Sequence, residues 1–340
     1  MRLNNLIKNL SLGLWIILTF LSACKDSQTR KAEKFAERLK VPVIRLEVLL
    51  FESELDGKKL LDTVKKTIPY AYKDYFEGVV RLGNPDDEMF TLELTGLRND
   101  FFMKSLYAEV KKIYGTDEVF FQSLQKGLGR YKFYFSKRPV PTIVTCISAL
   151  NYATAVNDST LFIGLDMYLG QDYEAYLAMN MPKYIRKRRR AEYLIADALK
   201  AWLLTEFPTP VETPSFAENL IHYGRIMWVL ERLLPNEKKY ILMGYTKEEI
   251  EYCEKNKRNI WQFFIDANIL QSKEYKDFSK YFEEAPFSYG MPKQTPGRTG
   301  IWLGWHIVEE FMRKHNYITP DSLMRITDLN KVFIQSGINP

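Results

Sequence analysis

Residues 141–165 read PTIVTCISALNYATAVNDSTLFIGL and carry the strongest β-strand signals in the chain. Two apolar runs rich in β-branched residues, Pro141 to Leu150 and Thr160 to Leu165, lie on either side of Asn157-Asp158-Ser159, which is a typical hairpin turn. Most of the remaining sequence has helical periodicity. The sequence therefore predicts an α+β fold that is predominantly helical, with a small β-sheet containing a hairpin.

Outside this stretch, apolar residues recur at spacings of three and four, which is typical of amphipathic helices. Ser215 and Thr299 are expected to act as helix N-caps. Alternation of apolar residues after Val41 predicts a first β-strand. The predicted helices cover about 56–67, 99–114, 118–127, 191–206, 215–234, 247–267 and 299–314.

The N-terminus has the features of an export signal. Arg2 and Lys8 precede Leu10 to Leu21, an apolar run too short to cross about 30 Å of hydrocarbon as a helix. The run ends in Leu-Ser-Ala-Cys at Cys24, which resembles a bacterial lipoprotein signal: Cys24 would be lipidated and would become the first residue of the mature chain. Two alternatives remain, an ordinary signal peptide with an incidental cysteine and an uncut N-terminal anchor.

The predicted organisation is a signal peptide at 1–23, a charged tether at 24–40 and a single globular domain at 41–340. Without residues 1–23 the chain keeps 46 basic and 42 acidic residues, a balance that argues against a nucleic-acid partner. Cys146 and Cys253 would then be the remaining cysteines. They could pair in an oxidising compartment, but the apolar run around Cys146 favours a free, buried thiol.

The motifs of common enzyme classes are absent from the sequence. With three histidines, the chain contains no HExxH, CxxC, G-x-S-x-G, Walker A or G-x-G-x-x-G motif. The sequence therefore predicts no metal site and no cofactor.

Two histidines lie four residues from a carboxylate on a predicted helix. Glu218 could reach the ring of His222, and Glu310 could reach that of His306. Each pair is interpreted as a surface or rim ion pair, with an oriented base or a weak metal site as the alternative.

Asp197 lies in a helix that is apolar on almost every side. An ionised carboxylate there requires a partner, and Lys200 is the local candidate. A structural ion pair is favoured over a catalytic role.

Cationic residues provide two possible anion contacts. Arg298 and Thr299, at the start of a helix, could bind an anion or simply form a capped tight loop. The other group could face anionic lipid or an acidic protein, or could be a solvated helix end, and it comprises Arg186, Lys187, Arg188, Arg189 and Arg190.

Several segments together resemble the GldB family of gliding-motility lipoproteins from Bacteroidetes. They are Leu21–Cys24, Pro141–Thr145, Leu161–Asp166, Tyr223–Arg225, Leu234-Pro235 and Pro296–Trp305. The resemblance implies a lipid-anchored protein of the cell envelope, facing the periplasm, in the inner or the outer membrane. It also implies protein partners in the motility or secretion machinery.

The family is similar in layout to predicted zinc peptidases, in which an edge strand is followed by a helix with HExxH and a later helix with a glutamate ligand. The corresponding segments here are 161–165, 194–199 and 221–225, and both metal positions lack their ligands. The resemblance thus implies a degenerate zincin-like layout with a peptidase-like cleft. The main hypothesis is a non-catalytic binding or assembly component. The alternatives are an envelope hydrolase with a site around Asp197, His222 or His306, and an envelope-binding module that uses the cationic run.

Overall fold

The computed structural model describes residues 27–115 and 118–337. About 59% of the described residues are helical, and the described strands form one four-stranded mixed sheet, which confirms the predicted fold class. The predicted signal peptide and Cys24 lie outside the described residues. Within the described part, no helix combines the length and the apolar character needed to span a bilayer.

The sheet has the strand order β1-β2-β4-β3. Strand β2 is parallel to both β1 and β4, whereas β3 is antiparallel to β4. The strands are β1 Val43–Arg45, β2 Thr142–Cys146, β3 Thr154–Val156 and β4 Thr160–Gly164.

The hairpin turn at Asn157 is confirmed, but the expected first strand of the hairpin is wrong. The hairpin joins β3 to β4, and the long apolar run at 142–146 pairs with β4 in parallel. The segment 161–165, expected at the edge from the zinc-peptidase layout, lies mainly in the interior strand β4. The edges are the short strands β1 and β3.

A buried carboxylate holds the loop between β2 and β3. Asp166 accepts hydrogen bonds from the backbone N–H groups of Ser148 and Leu150, at 2.8 and 2.7 Å. Ala149 and Leu150 both have positive φ, 56° and 60°, a conformation that residues other than glycine rarely adopt. The run 142–150 therefore cannot continue as one strand.

The helices mostly follow the predicted ranges. They are α1 Ser27–Ala36, α2 Leu46–Glu52, α3 Gly57–Thr67, α4 Phe90–Asn99, α5 Phe101–Tyr114, α6 Glu118–Tyr134, α7 Glu174–Ala178, α8 Lys183–Arg186, α9 Ala191–Glu206, α10 Phe216–Leu233, α11 Lys239–Met243, α12 Lys247–Lys255, α13 Lys257–Asp266, α14 Tyr275–Phe278, α15 Thr299–Lys314, α16 Pro320–Met324 and α17 Leu329–Ser336. A π-helix spans Asp74–Val79, and 3₁₀ turns span Leu165–Met167 and Ser279–Tyr281.

The first strand is shorter than predicted, because the chain becomes helical at Leu46. A helix buries both Leu46 and Leu50 on one face. It also places the buried Glu47 where its carboxylate accepts a hydrogen bond from Thr145, at 2.8 Å. The helix predicted at 247–267 is likewise interrupted, at Asn256.

Helices α10 and α15 form the tightest described crossing in the core. A Cβ atom placed on Gly224 would lie 2.1 Å from the carbonyl oxygen of Gly304, and one on Gly304 would lie 2.0 Å from that of Leu220. Only glycine at both positions allows the backbones to approach this closely. The predicted N-cap Ser215 is confirmed at the start of α10.

The segment predicted to be a tether contains helix α1, which packs on α6. Ala32 and Ala36 are buried, and a Cβ on Gly129 would lie 2.6 Å from the Cα of Ala36. Arg130 forms an ion pair with Glu33 at 2.9 Å. This helix is therefore fixed to the body.

Candidate functional site

Asp197 is the centre of an ion cluster in which the buried or half-buried Arg188, Asp197, Lys200 and Arg298 meet the more exposed Glu284. Oδ1 of Asp197 accepts hydrogen bonds from Arg188 at 2.7 Å and from Lys200 at 3.2 Å. The predicted ion pair with Lys200 is thus confirmed. Arg188 also pairs with Glu284.

The loop before α15 supplies the other side of the cluster. Arg298 adopts a left-handed backbone conformation, with φ 63°, and its buried guanidinium donates to the carbonyl of Gly244 at 2.8 Å. Arg298, not Thr299, occupies the N-cap position of α15, so the predicted cap is wrong. The Thr299 hydroxyl instead lies 2.8 Å from that of Ser288, which bonds to the carbonyl of Pro296.

The charges of the cluster explain its protonation. Burial raises the pKa of Asp197, but Arg188 and Lys200 outweigh it and hold that pKa well below the usual range. Burial lowers the pKa of Lys200 to about 8, and the neighbouring Arg188 and Arg298 act in the same direction. Three cations thus surround two carboxylates. Asp197 stays ionised and fully hydrogen-bonded at neutral pH, which makes it a poor general base.

The space beside the cluster is very small. It is lined by residues that include Tyr184, Lys187, Tyr245 and Arg298, and its volume is about 10 Å³. That is about the minimum for one water molecule. Asp197 itself is only 7% exposed, so an extended peptide cannot reach its carboxylate in this structure.

The cationic run at 186–190 makes contacts within the chain. Arg188 is buried in the cluster, and Lys187 pairs with Glu249. Arg186 donates to the carbonyls of Met181 and Gln171, both at 2.9 Å.

The last two cations of the run also contact aromatic groups of the chain. The Arg189 guanidinium lies over the Tyr168 ring, and Arg190 donates to the Tyr193 hydroxyl at 2.9 Å. All five side chains are buried or half-buried. Anion contact by this run, or by Arg298 and Thr299, stays a prediction.

The expected pair between His222 and Glu218 is wrong. Glu218 forms a capping box with Ser215, and its other oxygen accepts from Asn330 at 3.1 Å. Nδ1 of His222 has no hydrogen-bond partner in the described chain. Burial, reinforced by Arg225, lowers the pKa of His222 to about 4, so the ring is neutral at pH 7.

The expected pair between His306 and Glu310 is also wrong. The ring of His306 contacts Glu254 at 2.9 Å and Glu309 at 3.1 Å. Glu310 instead binds Arg313. Burial lowers the pKa of His306, but hydrogen bonds to the two carboxylates outweigh it and raise the pKa above its ordinary value.

Asp197, His222 and His306 are therefore not joined in one polar network. Within residues 27–115 and 118–337, no hydrogen bond joins any two of them. The same part of the chain contains no group of three or more His, Cys, Asp or Glu residues arranged to hold a metal ion. Cys146 and Cys253 are free and buried, as the apolar run around Cys146 predicts.

Sequence reasoning missed an open cavity of about 470 Å³ at the edge of the sheet. The π-helix forms one wall, with Asp74, Glu77 and Gly78. The β3–β4 hairpin forms the other wall. The short apolar segment before Asn157-Asp158-Ser159 was the available signal, since a hairpin turn needs a strand immediately before it.

Comparison with known families gives one match that covers nearly the whole chain. Residues 26–340 match the family model described as gliding motility protein GldB. No curated protein and no solved structure matches the chain.

Proposed function

The chain belongs to the GldB family of gliding-motility lipoproteins, and on that premise we propose that it is a membrane-tethered, non-catalytic component that binds protein partners in the cell envelope. Lipid on Cys24 holds it to the membrane, facing the periplasm. Two or more acyl chains give stable anchoring. Its partners belong to the motility or secretion machinery.

The ion cluster is the observation that carries the non-catalytic part of this proposal. In the zinc-peptidase layout, the metal-binding helix corresponds to 194–199, and this segment of α9 holds Asp197. Its carboxylate is neutralised by Arg188 and Lys200 beside a cavity of about 10 Å³. The arrangement supports a structural tie between α9 and the loops that carry Arg188 and Arg298.

Replacing Arg188, Asp197 and Lys200 together with apolar residues tests this proposal. Buried ion triads can often be exchanged for apolar residues of similar volume without loss of stability. The variant Arg188→Met, Asp197→Leu, Lys200→Met leaves Glu284 partly exposed and able to be hydrated. We expect a deletion strain complemented with this triple variant to glide as the wild type does, measured by colony spreading. A folded, membrane-bound triple variant that fails to support spreading would contradict the proposal, as would stoichiometric zinc together with peptide hydrolysis by the purified protein.

The tether has its own test. Cys24→Ser, with export retained, should move the protein from the membrane fraction to the soluble fraction and abolish gliding, with unchanged thermal unfolding. Full gliding with the soluble form would show that anchoring is not needed.

A further inference from the structure

The free edge of β3 presents backbone groups that have no partner in the described chain. Gly164 N–H donates to Ala153 and Asn157 N–H donates to Thr160, both at 3.0 Å. In an antiparallel pair, hydrogen-bonded positions alternate, so residues 153, 155 and 157 face β4. The N–H and C=O groups of Thr154 and Val156 therefore point away from the sheet, at the spacing that another strand would need.

The 470 Å³ cavity extends to this edge. Ala155 and Val156 both line it, although consecutive strand residues face opposite sides of a sheet. A cavity that touches both residues must reach the edge between them. Its volume is within the usual range of ligand pockets, about 300–1,000 Å³.

The walls of the cavity are fixed to each other at two points. Asn157 donates to Asp74 at 2.5 Å, and Arg81 donates to the hydroxyl of Tyr152 at 2.7 Å. The groove is therefore formed before a partner arrives, which reduces the entropy lost on binding. The π-helix wall is a second indication, because π-helical turns are frequent at functional sites.

The lining indicates what kind of segment would fit. Phe162 and Ala155 provide an apolar surface, and a Cβ on Gly78 would meet no atom within 4 Å, which leaves room for a partner side chain. Asp74 and Glu77 form no ion pair within the described residues, whereas Lys73 is paired with Asp86. Lys73 shares Asp86 with Lys65, and the Arg81 guanidinium lies against Tyr152 on the hairpin wall, so the negative charge is local to the π-helix wall. The two carboxylates there complement a cationic side chain placed beside them.

We propose that an extended segment of a partner protein adds to β3 as a fifth strand. One of its apolar side chains enters the cavity beside Gly78, and a Lys or Arg lies near Asp74 and Glu77. This mode of recognition takes affinity from main-chain hydrogen bonds and specificity from alternate side chains. The inference rests on the proposed function as a partner-binding component and names the site.

Two variants, each with a matched control, test the site. Val156→Pro removes an outward N–H without removing a bond to β4, and an edge strand tolerates proline at such a position; Val156→Thr keeps the N–H. Gly78→Leu fills the cavity. Gly96→Leu places the same side chain on another exposed helical glycine that also has no atom within 4 Å.

The probe is a phage-displayed library of random ten-residue peptides, selected on the full chain in detergent micelles. Selected peptides should carry apolar residues at every second position and should include Lys or Arg. Binding, measured by fluorescence anisotropy, should weaken at least tenfold for Val156→Pro and Gly78→Leu and stay within twofold for the controls. Hydrogen exchange at Thr154 and Val156 should slow on binding.

The inference is overturned if no peptide is enriched, if a bound peptide is helical, or if Val156→Pro and Gly78→Leu, with unfolding temperatures like those of their controls, bind as the wild type does. None of these results would contradict the proposed function, which is tested separately by the gliding of strains that carry the triple variant or Cys24→Ser.

Discussion

Replacing Asp197 with Asn removes one charge from the ion cluster and leaves the size of the side chain almost unchanged. Two unit charges 4 Å apart interact by about 4 kcal/mol at an effective dielectric constant of about 20. Removing one partner of a buried pair costs about 3–5 kcal/mol, because the other charge is left buried without compensation. In Asp197→Asn, Arg188 keeps its ion pair with Glu284, and Lys200 can release a proton because its pKa is already lowered to about 8. We therefore expect a loss of about 3 kcal/mol.

Urea unfolding at pH 7, followed by tryptophan fluorescence, measures this loss. The buried Trp202 on α9, the helix that carries Asp197, reports on it. Asp172→Asn is the matched control, because Asp172 is 78% exposed and its pair with Arg186 is at the surface, so little change is expected. Adding Lys200→Met to Asp197→Asn should recover part of the stability, since it removes the cost of keeping Lys200 charged, or of deprotonating it, without its carboxylate partner.

The pH dependence gives an independent check. The pKa of Asp197 is depressed in the folded state, so its contribution is present above the ordinary value of 3.8 and is lost as the pH falls below it. The difference between wild type and Asp197→Asn should therefore shrink in acid. A loss under about 1 kcal/mol at pH 7, or no recovery on adding Lys200→Met, would refute the role of the cluster as a structural tie.

The raised pKa of His306 means that its contribution to stability is complete below pH 6.5 and is lost as the pH rises above that value. In urea unfolding, His306→Gln should therefore reduce the fall of the unfolding free energy with rising pH. Gly224→Ala should lower the unfolding free energy by about 1–3 kcal/mol, because the added methyl group meets backbone of α15, whereas Gly96→Ala should be neutral or stabilising. A twenty-residue Gly-Ser linker inserted between Cys24 and Ser27 should leave the protein in the membrane fraction but reduce gliding; undiminished gliding would show that a close approach to the membrane is unnecessary.

The long helices could be predicted because their signals are local. The apolar run around Asp197 identified a buried carboxylate and its neighbour Lys200. Arg188 and Glu284 could not be found in this way, because they approach Asp197 from separate loops whose sequences have no periodicity. The partners of a buried charge are set by tertiary packing, which helical spacing does not describe.

The predicted pair between Glu218 and His222 failed for a different reason. The four-residue spacing from Glu218 was real, but Ser215 precedes Glu218 by three residues, which is the sequence signature of a capping box. The N–H of Ser215 holds the carboxylate at 2.8 Å and removes it from the histidine. Strand β3 was missed because it has only three residues, and the parallel pairing of β2 and β4 has no local signature.

The position of helix α1 limits where a partner can bind. If lipid is attached at Cys24, only Lys25 and Asp26 separate it from Ser27, and each of the three steps along an extended chain covers at most about 3.6 Å. The start of α1 then lies within about 10 Å of the lipidated residue. Because α1 is fixed to α6 through Ala36 and Arg130, lipid at Cys24 would hold the whole body close to the bilayer instead of letting it move on a long tether. A partner that adds a strand to β3 would then bind within one domain diameter of the membrane, a distance that a partner anchored in the same membrane can reach.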